Sequence, residues 1–181
     1  MSSKRILAAL AARPLRLISF AVLAALPFAA AIEAAPAVST LAAFNGSAPA
    51  GNLVLGPDGA LYGTSAPSSV VAGGLIYRAT TDGTSVTTIH QIDRPTEGQT
   101  PQAGLLLASD GKFYGTTKFG KSGTLATTGT IFRLNTDGTG FAVLHDFAPF
   151  TESNTAGAPK NTDGAYSSAE LIEGADGDLY G

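Results

Sequence analysis

One short phrase constrains this chain more than any other, because it returns. Ser109-Asp110-Gly111-Lys112-Phe113-Tyr114-Gly115-Thr116 is matched by Pro57-Asp58-Gly59-Ala60-Leu61-Tyr62-Gly63-Thr64 and by Ala175-Asp176-Gly177-Asp178-Leu179-Tyr180-Gly181, with the aspartates 52 and 66 residues apart. A second element, Leu75-Ile76-Tyr77-Arg78-Ala79-Thr80-Thr81-Asp82-Gly83-Thr84, is echoed 55 residues on by Ile131-Phe132-Arg133-Leu134-Asn135-Thr136-Asp137-Gly138-Thr139. A third runs Leu41-Ala42-Ala43-Phe44, Ile89-His90-Gln91-Ile92 and Leu144-His145-Asp146-Phe147. A unit of roughly 50 residues, present about two and a half times, folds as an array of like modules.

Each unit reads as four short strands. In the middle one, 103–108 is apolar, 112–117 alternates, 130–134 is β-branched and aromatic, and 141–147 alternates again. Xaa-Asp-Gly stands between the first and second strands and between the third and fourth, which predicts a type I turn closed by a left-handed glycine. Pro57 fits that choice, since proline presets the backbone at the turn's second position. Tandem four-stranded antiparallel units of ~40–50 residues predict an all-β fold of β-propeller blades, here about 38–88, 89–143 and a truncated 144–181. Propellers close with ~4–8 blades, so the expectation is an N-terminal piece of a longer protein, with the remaining blades as its first partners.

Residues 1–37 are of another kind. Lys4, Arg5, Arg13 and Arg16 precede an apolar run, 17–31, that ends in small residues, the layout of a secretory signal peptide followed by a short linker. The run is shorter than the ~20 residues of a spanning helix, and Pro27 interrupts it. Processing after Ala31 or after Ala37 fits the small residues there, and no cysteine follows to carry a lipid. Removing 1–31 leaves seven basic against fourteen acidic residues, a net charge of −7. That balance argues against nucleic acid, which needs clustered Lys and Arg. With no cysteine in an exported chain, packing or assembly must supply the stability that disulfides often supply.

The residues that look chemical have structural readings that fit better. Asp58, Asp82, Asp110, Asp137 and Asp176 are candidates for calcium or for glycoside hydrolysis, yet each precedes a turn glycine, where its side chain can accept from the amide two residues on. His90 and His145 are repeat equivalents, but a histidine metal site usually recruits a third ligand, and these are the chain's two histidines. Tyr62, Tyr114 and Tyr180 offer a platform for sugars, or rings filling the core between blades beside a glycine that lets the backbone approach closely. Arg78 and Arg133 are expected to point away from the core. No catalytic, cofactor-binding or metal residue is assigned.

The run "GLLLASDGKFYGTTKFGKSGTLATTGTIFRLNTDGTGFAVLHDF" (104–147) resembles the tandem repeat of the choice-of-anchor GloVer-containing proteins: an A-G-L strand, a D-G turn, L/F-Y-G-T-T, a glycine-rich loop, then G-T-V/I-F-x-L-x-x-D-G and L-H-x-F. The resemblance extends over 38–181 and departs from the pattern at Ala66-Pro67-Ser68-Ser69 and in a long insertion in the last unit. It implies an exported or surface-displayed bacterial propeller, usually held by a C-terminal anchor, and supplies no catalytic residue. The tight turns keep their length while the connections at the other end of the strands vary, which places the expected contact face on 118–128 and 148–162. The expected function is a non-enzymatic binding or display module for an extracellular glycan or protein. The alternatives are an extracellular polysaccharide hydrolase or lyase whose catalytic residues lie outside these 181, and a purely structural adhesion array.

Overall fold

The structure, a computed structural model, describes residues 47–68, 72–121, 128–150, 161 and 163–181. The apolar N-terminal run, both processing positions and the Leu41–Phe44 element lie outside the described residues, as do 122–127 and 151–160 of the two variable loops. Everything below belongs to one compact unit, Ser39–Gly181.

The fold is all-β. Strands β1 (Ser47–Leu55), β2 (Leu61–Pro67), β3 (Leu75–Ala79) and β4 (Val86–Gln91) form one antiparallel sheet in sequence order. After the single helical turn α1 (Arg94–Glu97), strands β5 (Leu106–Leu107), β6 (Lys112–Thr117), β7 (Thr130–Asn135) and β8 (Ala142–Asp146) form a second such sheet. The hairpin β9 (Ile172–Glu173) and β10 (Leu179–Tyr180) begins the third unit. No helix among the described residues is long and apolar enough to cross a membrane.

The two full sheets repeat in register as well as in sequence. Gly63 faces Tyr77 and Gly115 faces Phe132, and both glycines are required: a Cβ on Gly63 would lie 2.6 Å from the Tyr77 hydroxyl oxygen, and one on Gly115 2.6 Å from the Phe132 ring. The same one-residue bulge interrupts both last ladders, leaving Ile89 unpaired between His90 and Thr88, and Leu144 between His145 and Val143. Four of the six residues predicted for the first strand of the middle unit, 103–108, stay outside the ladder, which only Leu106 and Leu107 join. The reason is that the Ala103 carbonyl accepts from the Thr64 hydroxyl of the preceding unit (2.8 Å) instead of from β6.

The core lies between the sheets. Tyr62, Ile76 and Ile92 from the first unit meet Leu105, Phe113, Phe132 and Leu134 from the second, and the last four are fully buried. The Tyr62 and Phe113 rings are 4.7 Å apart, and Phe141 lies between His90 (4.2 Å, nearly parallel) and Phe132 (5.0 Å). Burying each such side chain is worth about 1.5–3 kcal/mol, so this shared face is what joins one unit to the next. The bulge at Ile89 takes part: its carbonyl oxygen lies 2.2 Å from where a Cβ on Gly138 would be, so the second unit's last turn rests on the first unit's last strand.

Candidate functional site

The meander places the Asp-Gly turns at one end of the sheets and the longer connections at the other. At the turn end all five turns have one geometry. The glycine amide donates to the carbonyl three residues back in each (Gly59 to Gly56, Gly83 to Thr80, Gly111 to Ala108, Gly138 to Asn135, Gly177 to Gly174), and the glycine φ lies between 73° and 87°. Each aspartate accepts, through Oδ1, from the amide two residues on: Ala60, Thr84, Lys112, Thr139 and Asp178, at 2.9–3.1 Å. The Asx reading of these aspartates is therefore correct at every position.

The rest of each carboxylate separates the turns into two kinds. In the first turn of a unit, Oδ2 accepts from the tyrosine hydroxyl four residues on: Tyr62 (3.1 Å), Tyr114 (3.0 Å) and Tyr180 (2.7 Å). In the second turn, Oδ1 also accepts from the threonine hydroxyl two residues on, Thr84 (2.8 Å) or Thr139 (2.7 Å). The tyrosines thus clasp their own turns. The expectation that all three fill the core holds for Tyr62 alone; Tyr114 is half-buried and Tyr180 is 50 % exposed. Arg78, as expected, leaves the core, and it pairs with Asp58 at 2.6 Å; Arg133 is exposed.

These bonds hold every turn carboxyl below its ordinary range. The Arg78 guanidinium does so for Asp58, the Thr139 hydroxyl for Asp137 and the Tyr180 hydroxyl for Asp176. At Asp110 burial opposes the shift, and the Lys112 amide and ammonium outweigh it. The hydroxyls of Thr80 and Thr84 with the Thr84 amide bring Asp82 to about 2. A glycosidase acid needs the opposite, a carboxyl held protonated near neutral pH. None of the five is suited to that role.

The loop end repeats a frame and varies what hangs from it. The Ile92 amide donates to the Gly74 carbonyl and the Thr100 amide to that of Gly73; one unit on, Phe147 donates to Gly129 and Tyr166 to Thr128. Thr100 and Tyr166 are the two non-glycine residues with left-handed backbone among those described, at φ 61° and 58°. His90 Nε2 lies 2.8 Å from Glu97 Oε2, which also accepts from the Asp93 amide, and His145 Nε2 lies 3.0 Å from Asp163 Oδ2, whose other oxygen accepts from the Ala148 amide. Each histidine therefore anchors its own linker to its own strand. Among the described residues no three His, Asp or Glu side chains gather closely enough to hold a metal ion. Sequence reasoning overlooked Glu97 and Asp163 as partners of the histidines, although their place before a glycine, six residues ahead of Ala103 and Ala169, was a usable signal.

This doubling of turns, clasps, bulges and linker anchors matches one known pattern of sequence: the model of the Gloeobacter/Verrucomicrobia repeat fits residues 31–181. The chain belongs to the Gloeobacter/Verrucomicrobia repeat family. No curated protein matches it. In this Gloeobacter/Verrucomicrobia repeat protein the parts of the two variable loops that are described come together. Lys118 and Phe119, which open the β6–β7 loop, line an open cleft of ≈550 Å³ with Gln102, Tyr166 and Ser168 of the linkers. The Phe119 and Tyr166 rings meet edge to face at 5.8 Å, and Phe150 backs Tyr166 from 5.4 Å.

Proposed function

We propose that this protein is an exported, non-enzymatic binding or display module whose repeats are blades of a β-propeller, and that it binds its extracellular ligand at the loop end. The observation that carries the reading is the contrast between a fixed frame and a variable filling. The linker from Ile92 to Gly98 and the one from Phe147 to Gly164 differ by eleven residues, yet both make the same amide-to-carbonyl contacts at each side. Rigid scaffolds carrying unequal loops are where binding surfaces concentrate. Face-to-face packing of consecutive four-stranded meanders supports the blade arrangement. The basic, apolar and small-residue succession of 1–31 supports export.

The test replaces 148–162 with the short 93–96 segment and screens both proteins on an array of immobilised glycans. Loss of the wild-type signals in the shortened protein is the expected result. Unchanged signals would place the ligand elsewhere. Sequencing the N-terminus of the exported protein tests secretion, with Ile32 or Val38 expected as the first residue.

A further inference from the structure

We infer that the cleft between Lys118-Phe119 and Tyr166-Ser168 is a subsite for an acidic sugar, a uronate residue of an oligo- or polysaccharide; this deepens the binding reading above and rests on it. The lining supplies both halves of what a pyranose carboxylate requires. Two rings at 84° to each other form a corner, and Tyr166 stays 41 % exposed although the Phe150 ring also packs 5.4 Å from it. Such a corner offers apolar surface to the C–H face of a sugar ring. Around it the side chains of Gln102 and Ser168 and the Tyr166 hydroxyl have no hydrogen-bond partner among the described residues, so they are available to sugar hydroxyls.

The charge of the site runs against the charge of the chain. Residues 32–181 carry a net −7. Arg78 and Lys112 are each paired with the aspartate of a turn, whereas Lys118 and Lys121 have no carboxylate within ion-pair distance among the described residues. The Lys118 ammonium instead sits 5.4 Å from the centre of the Phe119 ring, at the cleft. An unneutralised cation beside the half-buried Phe119 ring and the exposed Tyr166 ring, in an otherwise acidic protein, fits an anionic ligand.

The preceding unit serves as an internal control. Lys118 and Phe119 correspond to Ala66 and Pro67, and Tyr166 corresponds to Thr100, so the first junction has the same backbone frame with neither ring nor ammonium. The left-handed backbone at Tyr166 belongs to the frame, because Thr100 shares it. What is particular to the second junction is the choice of side chains, including a bulky ring at a backbone conformation where glycine or asparagine is the unstrained choice.

The experiment titrates the full chain by calorimetry with a hexagalacturonate and with its methyl ester, which keeps the sugar and removes the charge. The acid is expected to bind about ten-fold more tightly than the ester, as one charged hydrogen bond requires. Lys118→Gln should abolish that difference and leave ester binding unchanged. Tyr166→Asn, which tolerates the left-handed backbone, should weaken both, with thermal melting confirming that both variants fold. Equal affinity for acid and ester overturns the inference, as does equal binding of poly-glutamate. If binding is lost on replacing 148–162 but unaffected in both point variants, the loop end keeps its role and this cleft loses it.

Discussion

The two ends of the sheets solve the same problem, closing one strand onto the next, in opposite ways. At the turn end the solution is local: each aspartate reaches an amide two residues away and a hydroxyl two or four residues away, and five turns agree within 14° in the φ of their glycine. At the loop end the anchors come from far along the chain, as in the 18-residue separation of His145 from Asp163. A locally closed turn has no room for insertion. A frame anchored at two distant points holds whatever length of chain is placed between them, because loop-closure entropy grows only slowly with length.

The sharpest way to break the turn end is at Gly138. Its turn matches that of Gly111 in conformation, with φ of 87° and 77°, but a Cβ at Gly138 would lie 2.2 Å from the Ile89 carbonyl oxygen whereas one at Gly111 meets nothing within 4 Å. Gly111→Ala should therefore cost only the left-handed strain, about 1–2 kcal/mol. Gly138→Ala should cost a further ~1–3 kcal/mol for parting the two sheets. Equal losses in urea melts would show that the second unit does not rest on the first.

A smaller effect separates the two units at the buried end of their second strands. Thr117 and Thr130 share a hydroxyl hydrogen bond at 2.8 Å, and Thr130 donates to the Glu97 carbonyl at 3.0 Å. The corresponding pair is Ser65 and Leu75, and the buried Ser65 hydroxyl has no partner among the described residues. Thr130→Val should destabilise by about 1–3 kcal/mol by orphaning buried polar atoms, while Ser65→Ala should be neutral or stabilising. Chemical denaturation of the two variants decides it, and a clear loss on Ser65→Ala would contradict the pairing described.

Acid should act at the turn end. The five aspartates have folded pKa values below the unfolded value of ~3.9, so their contribution is complete above that value and is lost as pH falls through the folded values. For Asp82 the loss extends to about 2. The melting temperature should be level from neutral pH to about 5 and fall between ~4 and 2, and Asp82→Asn should reduce the slope in that window. The smallest effect belongs to the loop end: exchanging 148–162 for 93–96 should change stability by less than ~1 kcal/mol. A larger loss would mean that the insertion is part of the core.

Much of this fold was legible because its signals are short-range. Lys112–Thr117 emerged as a strand with the predicted bounds, and the Asp-Gly turns emerged with the predicted glycine conformation and Asx bonds. Phe141 illustrates the limit. Its alternating pattern places it in the fourth strand, but it precedes β8 and stacks on His90 of the neighbouring sheet, a contact that no pattern within its own unit specifies. The candidate cleft shows the same limit: 118–128 was singled out by its variable length, and Gln102, Tyr166 and Ser168 join Lys118 and Phe119 only through folding.

The sequence by itself thus determined the unit, its strands and its turns, because each depends on residues within about five positions of one another and on the left-handed freedom of glycine. Tertiary structure alone decided which faces meet, that Thr64 bonds to Ala103 of the next unit, that the histidines pair with Glu97 and Asp163, and that two rings and a lysine share one cleft. Those contacts join residues that only burial of a shared apolar face brings together, and burial has no direction until the sheets have packed.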